Sequence, residues 1–190
     1  MDQPTPVPVF LDFEGVLRPT FNDGPFSSAK NLVEPLREAR AMGLFPALVI
    51  ASTYRLKYPW KDLAALLETH APGIGEFICG CTPRGGDYVF SEEDAERQSK
   101  APRLFEAMTW MRTRGAPLGW IAIDDTKELY GPNDAALPRE LLLCDGAQGF
   151  TEADANKLRE KFSAMATLRQ SLAAAGTGQE AGASSQPAPR

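Results

Sequence analysis

The chain has 190 residues, 43% of them hydrophobic and 24% charged, with a formal net charge of -5. That is enough apolar material for one domain with a sizeable core, and the negative balance argues against a broad nucleic-acid surface while leaving room for a local basic patch. No apolar run is long enough to span a bilayer, and the opening MDQPTPVPVF lacks the basic and apolar regions of a secretory leader.

The first predicted element is a strand, VPVFLD at 7–12, and it runs straight into two carboxylates, Asp12 and Glu14, before Gly15. A helix over 31–42 carries Leu32, Val33, Leu36, Ala39 and Met42 on one face and stops at Gly43; Pro35 is tolerable only if the helix begins close to it. A second strand, FPALVIAS at 45–52, leads to Ser52 and Thr53. A second helix follows, with Trp60, Leu63, Leu66 and Leu67 in a stripe, and then a third strand, EFICGC at 76–81. Leu104, Phe105, Met108 and Met111 mark a third helix ended by Gly115. The fourth strand, GWIAID at 119–124, ends in Asp124 and Asp125, and the fifth is LLLCD at 141–145. Thr151 with Asp154 reads as a capping box opening a last helix through Ala155, Leu158, Phe162 and Met165. The helical stripes are read as core faces. A single domain over 1–171 is expected, with 172–190, rich in Ala, Gly, Ser, Gln and Pro, disordered.

Cys79, Cys81 and Cys144 lie in strand-like runs, and their odd number gives no disulfide framework, so a reducing cytoplasm is expected. The pair Cys79 and Cys81 reads as small core or sheet-face residues, since the one histidine, His70, offers little support for a metal site.

Continuous apolar runs alternating with helices predict an α/β fold. It is a Rossmann-like three-layer sandwich around a five-stranded parallel sheet, with right-handed crossovers. In such sheets ligands bind beyond the carboxyl ends of the strands. With neighbouring strands about 4.8 Å apart, adjacent first and fourth strands would crowd Asp12, Glu14, Asp124 and Asp125 together. Like charges so close raise one another's pKa unless a cation intervenes, and Mg²⁺ with carboxylate and phosphate oxygens answers that need. Either acid pair alone is better read as helix capping; both pairs at corresponding strand ends favour the cation. Ser52 and Thr53 are natural phosphate partners at a helix start. Lys100, read as opening the helix before the fourth strand, is the candidate phosphate cation, with Arg103 as its competitor.

These residues resemble the haloacid dehalogenase-like (HAD) phosphatase superfamily over about residues 7–165. The strand ending D-x-D-x-[TV] is matched by Asp12-Phe13-Glu14-Gly15-Val16, and the strand ending in Ser or Thr by LVIAS with Ser52. The upstream lysine is matched by Lys100 and the acidic pair by IAIDD. The run ASTYR, with ICGCTP, also resembles a subgroup associated with RNA-repair architectures, in which Tyr54 here stands where that subgroup has tryptophan. The resemblance implies a HAD fold and a Mg²⁺-dependent phosphatase. Asp12 would be the nucleophile and Glu14 the acid/base; Ser52, Thr53 and Lys100 would hold phosphate. Mg²⁺ would lie on Asp12, Asp124, Asp125 and the backbone carbonyl of Glu14.

Glu14 departs from the usual aspartate. It keeps the acid/base function but reaches one methylene further. The alternatives are therefore a phosphate-binding or scaffold module whose catalysis lapsed, and a phosphotransferase. Residues 82–99 are too short for a full cap domain, so the expected substrate is accessible or macromolecular, a nucleotide or nucleic-acid end among the candidates. No basic-aromatic stripe in the sequence reads out a base. No membrane association and no protein partner are implied.

Overall fold

Five of the apolar runs become five strands: β1 (Val7–Leu11), β2 (Pro46–Ile50), β3 (Ile78–Cys81), β4 (Ile121–Asp124) and β5 (Leu141–Leu143). In the computed structural model, which describes residues 6–20, 26–84, 88, 91–114, 119–132 and 136–180, they form one parallel sheet in the order β3-β2-β1-β4-β5. β1 is central, with Leu11 opposite both Ile50 and Ile123. That register sets the strand ends level: the Asp12 N–H donates to the Ile123 carbonyl (3.0 Å) and the Ala51 N–H to the Leu11 carbonyl (2.8 Å).

The helices are α1 (Lys30–Ala41), α2 (Trp60–His70), α3 (Glu92–Lys100), α4 (Pro102–Arg112) and α5 (Glu152–Glu180). Successive strand residues face opposite ways, and the core divides accordingly. Val9, Leu11, Leu48, Ile50, Ile121 and Ile123 pack under α1, α2 and α5. Phe10, Val49, Ala51 and Ala122 meet Ala107, Trp110 and Met111 of α4 on the other face, where Phe10 and Trp110 touch edge to face at 5.7 Å. The strands therefore carry no polar face, as a sheet covered on both sides requires.

Several expectations are refined. Pro35 lies well inside α1, buried, and the helix enters through tighter bonds, Asn31 N–H to Ser28 and Leu32 N–H to Ala29. Leu66 and Met108 are exposed, unlike the rest of their stripes. In α4 Ala107, Trp110 and Met111 meet the sheet, and Arg103 and Glu106 are buried as well. The capping box is present: the Thr151 N–H donates to Asp154 (3.0 Å) and the Asp154 N–H to the Thr151 hydroxyl (3.3 Å). The segment 172–180, expected to be disordered, continues α5. Three successive alanines, Ala173 to Ala175, extend an existing helix at no nucleation cost. Residues 181–190 and Gly115 lie outside the described residues. Among the described residues the segment after β3 contributes one α-helix before α4, namely α3, and no full cap. Among the described residues no helix is long and apolar enough to cross a membrane.

Candidate active site

Beyond the end of β1 the chain is held by its own apolar residues. Phe13, Val16 and Leu17 are fully buried, and the Phe13 carbonyl accepts from the N–H groups of Leu17 (2.9 Å) and Arg18 (3.0 Å). Gly15 turns the corner at φ +70°, a conformation side chains resist. This leaves Asp12 buried and sends Glu14 outward, exposed.

At the end of neighbouring β4, Asp124 is fully buried. Its Oδ1 accepts from the Thr126 N–H (2.9 Å) and its Oδ2 from the Tyr130 hydroxyl (3.2 Å). Asp125 accepts from the Thr126 hydroxyl (3.0 Å). Its other oxygen sits in a cleft between two glycines. A Cβ at Gly15 would lie 1.9 Å from that oxygen, and one at Gly146, beyond β5, 2.4 Å. Asp12, Asp124 and Asp125 each offer an oxygen within 4.8 Å of the others. The Glu14 carboxylate does not belong to this group: it accepts from the Thr53 hydroxyl (3.1 Å) at the mouth of the site. Ser52, fully buried at the end of β2, caps the 3-10 turn 53–56 by accepting from the Tyr54 N–H (3.4 Å) and hydrogen-bonds Asp12.

Burial pushes the Asp12 carboxyl up to about 7. The Asp124 charge adds to this, and Arg103, the Phe13 N–H and Ser52 partly offset it. Asp124 is pushed up to about 6, again by burial first, against the pull of the Thr126 N–H. Both folded-state values lie above the ordinary value of 3.8. Between about pH 4 and 7 the folded state therefore binds more protons than the unfolded one, and these groups lower stability as pH rises. Metal-free protein should melt at a lower temperature at pH 8 than at pH 5. Mg²⁺ held by these oxygens would compete with protons for them and should raise the melting point more at pH 8. Calorimetry with chelator and with Mg²⁺ at both pH values checks this; an equal Mg²⁺ effect at both would remove the link.

A buried chain of charges backs the acids. Arg103, in the first turn of α4, places Nη2 3.6 Å from Asp12 and Nη1 3.1 Å from Glu106. The other Glu106 oxygen binds Arg55 Nη2 at 2.6 Å, with both side chains buried. Arg55 in turn donates to the carbonyls of Ala51 (3.1 Å), Ser52 (2.7 Å) and Thr82 (3.2 Å), tying the ends of β2 and β3 together. Arg103 Nε is buried without a partner.

Lys100 is not brought to the triad. It is the last residue of α3, exposed and paired with Glu96 at 2.6 Å. The chain breaks helix at Ala101 and restarts at Pro102, so the sheet-facing cation is Arg103. The sequence offers Arg103 as the competitor, but nothing in it singles out Glu106, Tyr130, Gly146 or Arg55. A helical i,i+3 spacing links Arg103 to Glu106; nothing local links either to Arg55.

A family model described as the HAD domain in Swiss Army Knife RNA repair proteins matches residues 8–155. No curated protein and no solved structure matches the chain.

Proposed function

Because the chain belongs to the HAD domain family of Swiss Army Knife RNA repair proteins, a hydrolase family, we propose that it is a Mg²⁺-dependent phosphatase acting on an accessible phosphomonoester. A nucleic-acid end is the substrate class that agrees with the family description. The observation that carries the reading is the convergence of Asp12, Asp124 and Asp125 on one point, backed by Arg103.

The donors suit a hard divalent cation. They are oxygens only, burial raises the pKa of two of them by penalising their charge, and Arg103, the cation paired with Asp12 among the described residues, is shared with Glu106. Asp12, Asp124, Asp125 and the Glu14 carbonyl would hold Mg²⁺, which supplies neutralisation of the phosphoryl oxygens. Asp12 attacks phosphorus as its bond to the leaving oxygen breaks, giving an aspartyl-phosphate. Glu14, exposed at the mouth and steadied by Thr53, gives that oxygen its proton. Glu14 then takes a proton from the water that attacks phosphorus, releasing inorganic phosphate and the Asp12 carboxylate. Ser52 and Arg103 orient the phosphoryl group, Arg103 in the place the sequence assigned to Lys100.

Hydrolysis of p-nitrophenyl phosphate tests the proposal: turnover with Mg²⁺ and none with chelator are expected. The Glu14→Asp variant separates the scaffold alternative. An active parent changed by about 10-fold or less supports the enzyme. An inert parent that gains activity on this substitution supports a lapsed site.

A further inference from the structure

The sequence shows no basic-aromatic stripe, yet the fold assembles one beside the acids from segments 36 residues apart. Contacts lead outward from the triad in order. Glu14, two residues beyond Asp12, bonds Thr53; the next residue, Tyr54, accepts from Arg18 Nη1 at 3.3 Å; and Arg18 bridges back to Glu14 through the backbone. Tyr54 is wedged against Phe13 (5.8 Å) and Phe26 (6.2 Å), which fix its plane. Tyr58 lies on it nearly parallel, at 6.3 Å and 28°. Tyr58 itself is 52% exposed, so it contacts Tyr54 while much of the ring is open to water. Arg18, bonded to Tyr54, and Lys57, next to Tyr58 in the chain, are exposed.

We propose that Tyr58, held by Tyr54, with Arg18, forms a stacking subsite for the terminal base of a single-stranded nucleic acid whose end phosphate lies at Asp12. The inference rests on the phosphatase reading for the phosphate's position. An aromatic ring fixed from behind and open in front offers a π-face to any base, at little cost in rotamer freedom. A guanidinium one ring away suits the next phosphodiester along the strand. Packing alone would account for Tyr54, but not for a second tyrosine laid on it and left in solvent.

The experiment is fluorescence anisotropy of short labelled strands, RNA and DNA, with Mg²⁺. Their ends carry a hydrolysis-resistant phosphonate, and the terminal nucleotide is either intact or abasic. Tyr58→Ala should weaken binding of intact strands about 10-fold and of abasic strands little, and Tyr58→Phe should restore it. Unchanged melting temperatures check that the variants are folded. Either sugar giving this pattern supports the subsite, and tighter RNA binding assigns it to RNA. Equal weakening of intact and abasic strands overturns it, as do blunt duplex ends or a phosphotyrosine peptide binding as tightly as single strands, or no strand binding at all. Strand binding with this pattern but no aryl-phosphate hydrolysis would instead break the phosphatase reading and leave the subsite standing.

Discussion

Asp12→Asn should abolish the proposed Mg²⁺-dependent hydrolysis of an aryl phosphate, a loss of roughly 10⁴-fold or more as for other nucleophiles, while making the metal-free protein harder to melt at pH 8. The two effects have one cause. Asp12 is a carboxylate in a place that disfavours its charge: buried, facing Asp124, with its pKa held up to about 7. Asparagine fills the same volume and cannot ionise, so the repulsion ends; it also cannot attack phosphorus. The stabilisation should be present at pH 8 and absent at pH 5, where Asp12 is already protonated in the folded state. Hydrolysis assays and melting curves on the same preparation read both. Activity near the parent level would end the nucleophile assignment. A lower melting point at pH 8 would end the electrostatic account.

Glu106→Gln should be among the most damaging changes away from the reacting atoms. Glu106 compensates Arg55 and Arg103 at once, with all three side chains buried. Removing its charge leaves Arg55 without a buried counter-ion and Arg103 with only Asp12 at 3.6 Å, and breaking buried pairs costs about 3–5 kcal/mol. For a domain of this size that is a fall in melting temperature on the order of 10 °C. In molecules that remain folded, Arg103 loses the contact that aims it at Asp12, and about 100-fold in rate should go with it. Lys100→Ala is the contrast. Its exposed pair with Glu96 is screened by solvent and adds little, so stability and hydrolysis should stay close to the parent. Melting curves and kcat for both variants decide the matter, and the order reversed would return the phosphate-site cation to Lys100.

The strands and the acids at their ends were legible because burial on both faces leaves a continuous apolar signal, and a carboxylate ending such a run stands out. Asp12, Ser52 and Asp124 could be placed together from topology alone, since parallel strands align their ends. The misreadings have a common source. Lys100 and Arg103 differ by three residues, and only the break at Ala101 decides which one faces the sheet; sequence marks that break merely as a proline at 102. Arg55 carries the same charge whether solvated or buried, and only the distant Glu106 makes it an interior residue. Met108 fits an apolar stripe by spacing, but α4 meets the sheet through Ala107, Trp110 and Met111 and leaves Met108 exposed. The helical reading of 172–180 was hidden by composition, because Gly176, Thr177 and Gly178 lower propensity locally while the helix before them removes the cost of starting one.

Gly15 follows the central strand and Gly146 the edge strand β5, and both leave the same space empty for one oxygen of Asp125. The consequence concerns how this molecule tolerates change. Two positions with no functional group of their own are as constrained as the acids, since any side chain at either would evict a carboxylate from its seat. A mutational survey of the domain should therefore find these two sites intolerant even of alanine, silent partners in chemistry they never touch.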